Sequence, residues 1–422
     1  MIKKNFLLLS FTSLVYLSFF LGYFLQENSA GGGAIDFNHI TNNILLFKQN
    51  NFLEIDWSKY ESTSLPIYYL IIKILNISNF FTIGLFNMFI SLLSVLIFFK
   101  ILSNISSKYS LKTDSFVLFS ISSLLLLSPY FRTSTFWMLE ENIGYLFMLL
   151  SIYFTLKSQR KINFISSIFF ACLAFYSRQS YAFIVLIVFF NYYNFSNIFS
   201  FRNLILISLF SIFLIPSIYF FYQWNGLIPP YAAIDRTIKF QLVNLPIILS
   251  ICLFYLIPFL ILEDKIKILN FIKTKKIIIV ISLFCLFFLF YENIKTSDVY
   301  YDIKLGGGII YKLTFHFNIL TQNFNHQKIL FILISWLGFL SIFYYANKSL
   351  NLFIFFLIFL IIFSSANIIF QEYFDPMIFI LILIFYKMSD TKCNFTNLFL
   401  ILCGYKSTLL ISNIIYYYKI VN

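Results

Sequence analysis

Long apolar stretches alternate with short polar segments along almost the whole chain. A transmembrane helix needs about 20 consecutive apolar residues, and several of these stretches are shorter than that. The pattern predicts an all-α, polytopic bundle of about 11 to 13 transmembrane helices, with residues 1–422 as a single integral membrane domain. The stretches fall near residues 6–25, 80–99, 115–131, 138–156, 163–176, 180–193, 204–222, 241–262, 277–291, 328–346, 351–369, 374–387 and 397–417.

Two parts of this pattern have more than one interpretation. Segments 163–176 and 180–193 are short enough to form one re-entrant hairpin, although the polar sequence SRQS between them also suits a turn at the membrane surface. The N-terminal segment is basic and then apolar, like a signal peptide. Because its apolar run is longer than a signal peptide usually contains, we expect it to be the first transmembrane helix.

A polar island interrupts the pattern at residues 26–64. A segment this polar does not enter hydrocarbon, so it forms a loop on one face of the membrane. Helical spacing of its apolar residues predicts an amphipathic surface helix over 38–48, and Pro66 suits the first turn of a second helix over 66–75. The apolar residues concerned are Ile40, Ile44, Leu45 and Phe47.

The composition excludes a soluble globular protein. Hydrophobic residues make up 60% of the chain and charged residues 11%, and the formal net charge is +13. If the N-terminus is cytoplasmic, the loops on that side carry seventeen Lys and Arg against four acids. This is the positive-inside pattern of membrane proteins, so the charge does not indicate nucleic-acid binding. Every loop with candidate chemistry then falls on the non-cytoplasmic face.

Five further loops are expected on the same face as the polar island. They cover residues 129–141, 177–180, 223–240, 292–327 and 370–375. Three of them carry candidate substrate-binding residues, which are Arg132, Glu140, Glu141, Arg178, Gln179, Trp224, Asn225 and Arg236. Each also has a structural interpretation, since acids favour a helix N-terminus, an Arg can snorkel to headgroups and a Trp suits an interfacial turn.

Asp36 and His39 are the candidate catalytic residues of the polar island. They lie one helical turn apart and directly follow a run of glycines. The alternative is a solvated loop whose acids only enforce topology. Arg178 and Arg132 suit phosphate because a guanidinium donates two parallel hydrogen bonds, and Arg132 is equally suited to pair with one of the two glutamates of its loop. Acids and arginines at one membrane boundary suit a lipid-linked phosphorylated substrate.

Metal and nucleotide motifs are missing from the sequence. The three His residues share no HxxH or HExxH spacing, and no GK[ST] follows the glycines at 306–308. The sequence therefore predicts no metal ligands and no definite cofactor, and a divalent metal stays open.

Several short motifs occur in an order that resembles the GT-C superfamily of multi-pass glycosyltransferases. They are DFNHI, DWSKYESTSLPIYYL, RQS and WNGLI, between residues 36 and 228. More narrowly, the order is similar to that in the dolichyl-phosphate-glucose alpha-1,2-glucosyltransferase family. The resemblance implies inverting transfer of a hexose, glucose in that family, from a polyprenyl-phosphate sugar to a glycan or lipid-linked acceptor.

The resemblance also implies roles for residues. Asp36 is expected to act as general base on the acceptor hydroxyl or to orient a metal that does so, while Arg178, assisted by Arg236 or Arg132, neutralises the phosphate that leaves. The site would face the outer or periplasmic side of a cell membrane, or lie in the endoplasmic reticulum membrane of a eukaryote. A flippase or transporter of lipid-linked sugars or polysaccharide stays open as an alternative, and so does a non-catalytic membrane subunit.

Overall fold

The computed structural model describes residues 2–77, 79–108, 113–157, 160–233, 240–290, 307–321, 324–347, 349–366, 368–385 and 395–421. Regular structure in these ranges is helical throughout. The helices are α1 (Ile2–Phe24), α2 (Gly33–Gln49), α3 (Ile67–Ile74), α4 (Phe80–Lys108), α5 (Ser115–Ser123), α6 (Pro129–Phe136), α7 (Glu141–Leu156), α8 (Lys161–Ser177), α9 (Ala182–Tyr192), α10 (Phe201–Gln223), α11 (Pro230–Ala233), α12 (Asn244–Leu262), α13 (Lys265–Thr274), α14 (Lys276–Phe290), α15 (Gly308–Thr321), α16 (Phe324–Ala346), α17 (Leu350–Ser364), α18 (Met377–Phe385) and α19 (Phe395–Val421).

Six helices of the described residues are long and apolar enough to cross a membrane. They lie within α1, α4, α10, α12, α16 and α19. A seventh span forms if Ser115–Leu127 and Pro129–Phe136, which meet at a bend of 68°, cross together. The protein is thus a multi-pass helical membrane protein, and the predicted fold class is confirmed. The predicted total of about 11 to 13 spans requires shorter apolar helices such as α7 and α8 to cross as well, and it stays a prediction.

The chain divides into two compact units. The first contains Met1–Arg236 together with Leu402–Asn422, and the second contains Thr237–Ile401. In the second unit α12 packs closely along α16, where Ser335 Oγ donates to the Pro246 carbonyl at 2.8 Å. All the candidate site residues that the structure describes lie in the first unit. The prediction of one membrane domain over the whole chain stays a prediction.

The polar island is helical where the sequence predicts helices. Helix α2 contains the predicted segment 38–48 and begins earlier, at Gly33, and α3 occupies most of 66–75. Helix α2 packs against α3, with Asn43 Nδ2 donating to the Tyr69 hydroxyl at 3.1 Å. With about 1.5 Å of rise per residue, α3 is too short to cross a membrane. The placement of both helices at the membrane surface stays a prediction.

Helix α6 begins at a Ser-Pro step that turns the chain after α5. Ser128 Oγ accepts a hydrogen bond from the Phe131 amide at 3.2 Å, and Pro129 takes the first helical position. A serine cap followed by proline is a strong start signal, because proline lacks the amide that this position leaves unpaired. The new helix direction carries Arg132 against the end of α1.

A buried ion pair joins α6 to the chain just after α1. Arg132 is 1% exposed, and its Nε donates to Glu27 Oε1 at 2.8 Å while Nη2 donates to Glu27 Oε2. The remaining N–H groups reach the Ser18 carbonyl at 2.7 Å, the Ser18 hydroxyl at 3.3 Å and the Leu126 carbonyl at 3.2 Å. All five guanidinium donors therefore have protein acceptors.

This geometry corrects the expected pairing of Arg132. The sequence favoured a phosphate or one of the glutamates Glu140 and Glu141, whereas the partner is Glu27, which the sequence analysis left without a role. Gly22 makes the approach feasible, since a Cβ there would overlap the Arg132 guanidinium, the Glu27 carboxylate and the Phe136 ring. Arg132 has no donor left for a substrate, so we no longer place it among the phosphate-binding residues.

We expect the substitution Glu27→Gln to lower the free energy of unfolding by about 3–5 kcal/mol, because it leaves the Arg132 charge buried without compensation. The double substitution Glu27→Gln with Arg132→Met should cost clearly less than the sum of the two single changes. Denaturant or thermal unfolding in detergent measures both. Lys59→Ala, which breaks an exposed pair with Asp56, is the control and should change little. A similar loss in the control would contradict the structural role of the buried pair.

Candidate active site

The turn between α6 and α7, residues 137–140, is held by bonds from two other helices. The Tyr68 hydroxyl of α3 donates to the Met138 carbonyl at 2.8 Å, and Asn87 Nδ2 of α4 donates to the Leu139 carbonyl at 3.1 Å. Met138 has a positive φ of 59°, a conformation that a non-glycine residue adopts only when its surroundings hold it there. The turn therefore fixes the position of Glu140, its last residue, and of Glu141, which follows it.

Glu140 is a buried acid with one unpaired oxygen. It is 8% exposed, its Oε1 accepts from Ser62 Oγ at 2.8 Å, and its Oε2 is buried without a hydrogen-bond partner. Burial raises the pKa of Glu140 to about 7, and the neighbouring charge of Glu141 adds to the shift. Its side chain does not cap α7, so the capping interpretation of this residue is not supported. It instead ties the end of the polar island to the α6–α7 turn.

Glu141, at the start of α7, faces Arg178, which follows the end of α8. Arg178 Nη1 lies 3.6 Å from Glu141 Oε1, which is too long for a hydrogen bond and describes a loose ion pair. Ser134 Oγ donates to the other Glu141 oxygen at 3.2 Å. Arg178 follows the last residue of α8 in an extended conformation and its side chain is 18% exposed. The guanidinium is thus oriented by a carboxylate while remaining accessible to solvent.

His39 is paired with Glu61, a residue to which the sequence analysis gave no role. His39 Nδ1 lies 2.9 Å from Glu61 Oε2, and Asn42 Nδ2 donates to the same oxygen at 3.0 Å. The Glu61 amide donates to Asn43 Oδ1 at 2.8 Å, which fixes the loop against α2. Partial burial works toward a higher pKa of Glu61, but the hydrogen bonds from His39 and Asn42 outweigh it and lower the pKa. The ring of Tyr231 lies 5.6 Å from the His39 ring.

Asp36 is exposed in the first turn of α2. Three residues earlier, Gly33 lies directly against the Trp137 ring, where a Cβ would come within 2.6 Å of Trp137 Cδ1. Trp137 directly follows α6, and Glu141, the partner of Arg178, begins the next helix. The N-terminus of α2 and the Arg178 ion pair therefore meet the same turn.

Trp224, predicted to contact substrate, lies in an aromatic cluster. Its ring is 5% exposed and stacks on Tyr60 with centroids 6.2 Å apart and an interplanar angle of 11°. The indole N–H is buried without a hydrogen-bond partner. A sugar can stack only on an exposed ring face, and the Trp224 ring is buried. In this structure Trp224 therefore contributes to packing and has no face for a sugar. The cluster also contains Phe47, Phe52, Trp57, Tyr69 and Phe220.

The remaining candidate residues, Asn225, Gln179 and Arg236, are only partly placed. Asn225 is exposed with a positive φ of 51° just after α10. Gln179 lies in a short 3₁₀ turn, and its Nε2 donates to the Leu227 carbonyl at 3.0 Å, so it joins the end of α8 to this loop. Arg236 lies outside the residues that the structure describes, and its predicted phosphate role stays a prediction.

An apolar groove opens between α3, α8 and α10. Its volume is about 420 Å³, and Phe52, Leu70 and Cys172 are among the side chains lining it. The Tyr176 hydroxyl donates to the Phe213 carbonyl at 2.9 Å and accepts from the Ser217 amide at 3.0 Å. It thus replaces one backbone bond of α10 beside Pro216, where proline already removes a donor from the helix.

Among the described residues, no group of three or more His, Cys, Asp or Glu side chains converges in a way that would hold a metal ion.

No protein-family model matches the chain, and no curated protein or solved structure matches it either. The resemblance to GT-C glycosyltransferases therefore stays a prediction.

The raised pKa of Glu140 predicts a dependence of stability on pH. Its pKa of about 7 in the folded protein lies above the ordinary value of 4.5, so between these values the folded state binds more protons than the unfolded state. Stability is then fully present below the ordinary value and falls as the pH rises through about 7, by an amount on the order of 3 kcal/mol.

Glu140→Gln should remove this dependence, because the amide has no charge to gain. Melting temperatures at pH 5 to 8 should show the wild-type protein losing stability relative to the variant as the pH rises. Glu54→Gln, which changes an exposed glutamate of the same polar island, is the control and should follow the wild type. A constant difference between wild type and Glu140→Gln across this range would show that Glu140 does not titrate there.

Proposed function

We propose that the protein transfers a hexose from a polyprenyl-phosphate sugar to a glycan or lipid-linked acceptor at the non-cytoplasmic end of its first unit. The donor in this proposal is an amphipathic molecule, with a phosphate at the end of a long hydrocarbon chain. Its binding site must therefore offer a cation beside an apolar surface that is open to the membrane. Glucose is the hexose that the sequence resemblance implies.

The observation that carries the proposal is that the lining of the apolar groove reaches the end of α8 that precedes Arg178. The groove runs along α8 as far as Tyr176, two residues before Arg178. Arginine suits a phosphate because its planar fork can donate two parallel hydrogen bonds to it. A phosphate at Arg178 would place the hydrocarbon chain within reach of the groove.

The loose ion pair between Arg178 and Glu141 suits this role. At 3.6 Å the pair orients the guanidinium without a direct hydrogen bond between these two atoms. A phosphate dianion that forms as the sugar leaves is a stronger partner than a single carboxylate oxygen. Arg178 would therefore bind the phosphate more strongly in the transition state than in the bound donor, because negative charge develops on the phosphate. Only this extra binding in the transition state lowers the barrier to transfer.

The acceptor side of the proposed site is α2, where Asp36 and His39 lie one turn apart. The acceptor hydroxyl attacks the anomeric carbon from the side opposite to the phosphate, so the configuration inverts. The hydroxyl proton needs an acceptor within hydrogen-bond reach in the complex with substrate. Asp36 is the residue that the sequence resemblance favours for this step.

We expect Arg178→Ala to reduce transfer by about 10²–10³-fold, because it removes the donors to the developing phosphate charge. Arg178→Lys should retain part of the activity, since it keeps the charge but loses the fork. The assay uses purified protein in nanodiscs with polyprenyl-phosphate glucose and a total lipid extract as the source of acceptor, and it measures the polyprenyl phosphate released.

Arg160→Ala is the matched control for Arg178→Ala. Arg160 is an exposed arginine at the opposite end of the same helix, and its removal should leave the rate unchanged. Equal activity in Arg178→Ala and wild type would contradict the proposed phosphate site. No release with any polyprenyl-phosphate hexose, together with movement of intact donor across the membrane, would favour the flippase alternative.

A further inference from the structure

We infer that His39, held by Glu61, is the group that receives the proton from the acceptor hydroxyl, and that Asp36 is not. This inference rests on the proposed function and names the proton acceptor of that site. It assigns a new part to Glu61 as the positioning residue of the pair.

The hydrogen bond between the two side chains fixes the tautomer of the imidazole. An ionised carboxylate can only accept hydrogen bonds, so at 2.9 Å from Glu61 Oε2 the Nδ1 atom of His39 must be the donor. The neutral ring then carries its lone pair on Nε2. The lowered pKa of Glu61 keeps this carboxylate ionised at neutral pH. His39 is thereby prepared to accept a proton at the nitrogen that faces away from Glu61.

The attachment of Glu61 explains how the geometry persists on a solvent-exposed surface. Asn42 donates to the same carboxylate oxygen at 3.0 Å, and the Glu61 backbone is bonded to Asn43 at 2.8 Å. Asn43 itself is buried against Tyr69 of α3. The loop that carries Glu61 is therefore held against α2 one turn beyond His39, which keeps the carboxylate beside the ring.

Other ionisable groups lie near His39 besides Glu61. Asp36 lies one turn earlier on α2, where residues three apart are neighbours, and Tyr231 approaches the ring from α11. Residues 234–239, which follow α11, lie outside the described part of the chain. The cations of the elements packed around α2 have their own partners, which are Asn50 for Lys73, Asp56 for Lys59 and Glu27 for Arg132.

The transfer step balances with this assignment. The acceptor oxygen forms a bond to the anomeric carbon as the bond from that carbon to the phosphate oxygen breaks. The bonding electron pair leaves with polyprenyl phosphate, which becomes a dianion beside Arg178. The hydroxyl proton moves to Nε2 of His39, and the resulting imidazolium is stabilised by the Glu61 carboxylate.

The pH dependence of the rate separates the two candidate bases. A histidine base and an aspartate base place the acid limb of the rate at different pH, with the histidine limb higher by about two units. Glu61→Gln removes the charge that favours the imidazolium, so the acid limb should move to lower pH by about half a unit. A purely structural role of Glu61 would lower the rate without moving the limb.

The experiment combines transfer assays with nuclear magnetic resonance of ¹⁵N-histidine in the full chain. With three histidines in the protein, the His39 signals are assigned by their loss in His39→Gln. The assays use polyprenyl-phosphate glucose and the lipid extract. We expect His39→Gln to reduce transfer by about 10²–10⁴-fold and exogenous imidazole to restore part of the activity of His39→Ala. Asn38→Ala, at an exposed neighbouring position on α2, should retain the wild-type rate.

The inference is supported if Glu61→Gln moves the acid limb and the ¹⁵N titration of His39 together. It is overturned if the titration moves and the limb does not, or if Asp36→Asn abolishes transfer while His39→Gln retains it. Absence of transfer by the wild-type protein would overturn the proposed function and the proton role with it, whereas transfer with an unmoved limb would overturn the proton role alone.

Discussion

The buried ion pair between Arg132 and Glu27 is the constraint on which the first unit depends. It fixes the end of α1, where the polar island begins, to α6, which leads into the α6–α7 turn. Because all five guanidinium donors have acceptors, the pair has a single arrangement in this fold. The α6–α7 turn then places Glu140 against the polar island and Glu141 against Arg178. The ion pair therefore helps to position both sides of the proposed site, which are α2 and Arg178.

The fold class followed from the sequence because hydrophobic length is a strong local signal. The helix near 38–48 was also predictable, since Ile40, Ile44 and Phe47 recur at helical spacing and are buried as expected. The early start of α2 at Gly33 was not, because it depends on the close approach of Trp137, a contact between residues about a hundred positions apart. The sharp bend before α6 has a local signal in Ser128 and Pro129 that the hydropathy pattern does not register.

The site was predictable as a set of residue types but not as a set of partners. The sequence identified Arg178 and Glu141 as candidates, and the structure pairs them; it also identified Arg132, whose partner is Glu27 and not a glutamate of its own loop. Trp224 looked like a contact residue because tryptophan is common at membrane interfaces, yet tertiary packing buries it. The pairing of His39 with Glu61 had no sequence signal, since spacing within an irregular loop does not determine which side chains meet.

The rigidity of this network also bears on the choice between an enzyme and a transporter. A transporter that works by alternating access needs two arrangements of its helices with similar free energies. Separating α1 from α6 would leave Arg132 or Glu27 buried without a partner, at a cost of about 3–5 kcal/mol for one such charge. An ion pair of this kind between α1 and α6 favours a fixed arrangement of the two helices. Transfer chemistry needs such a fixed arrangement, because catalytic groups must keep their geometry to within a fraction of an ångström. Polar contacts near the ends of helices α1, α6 and α8 are among those that hold this scaffold in the first unit.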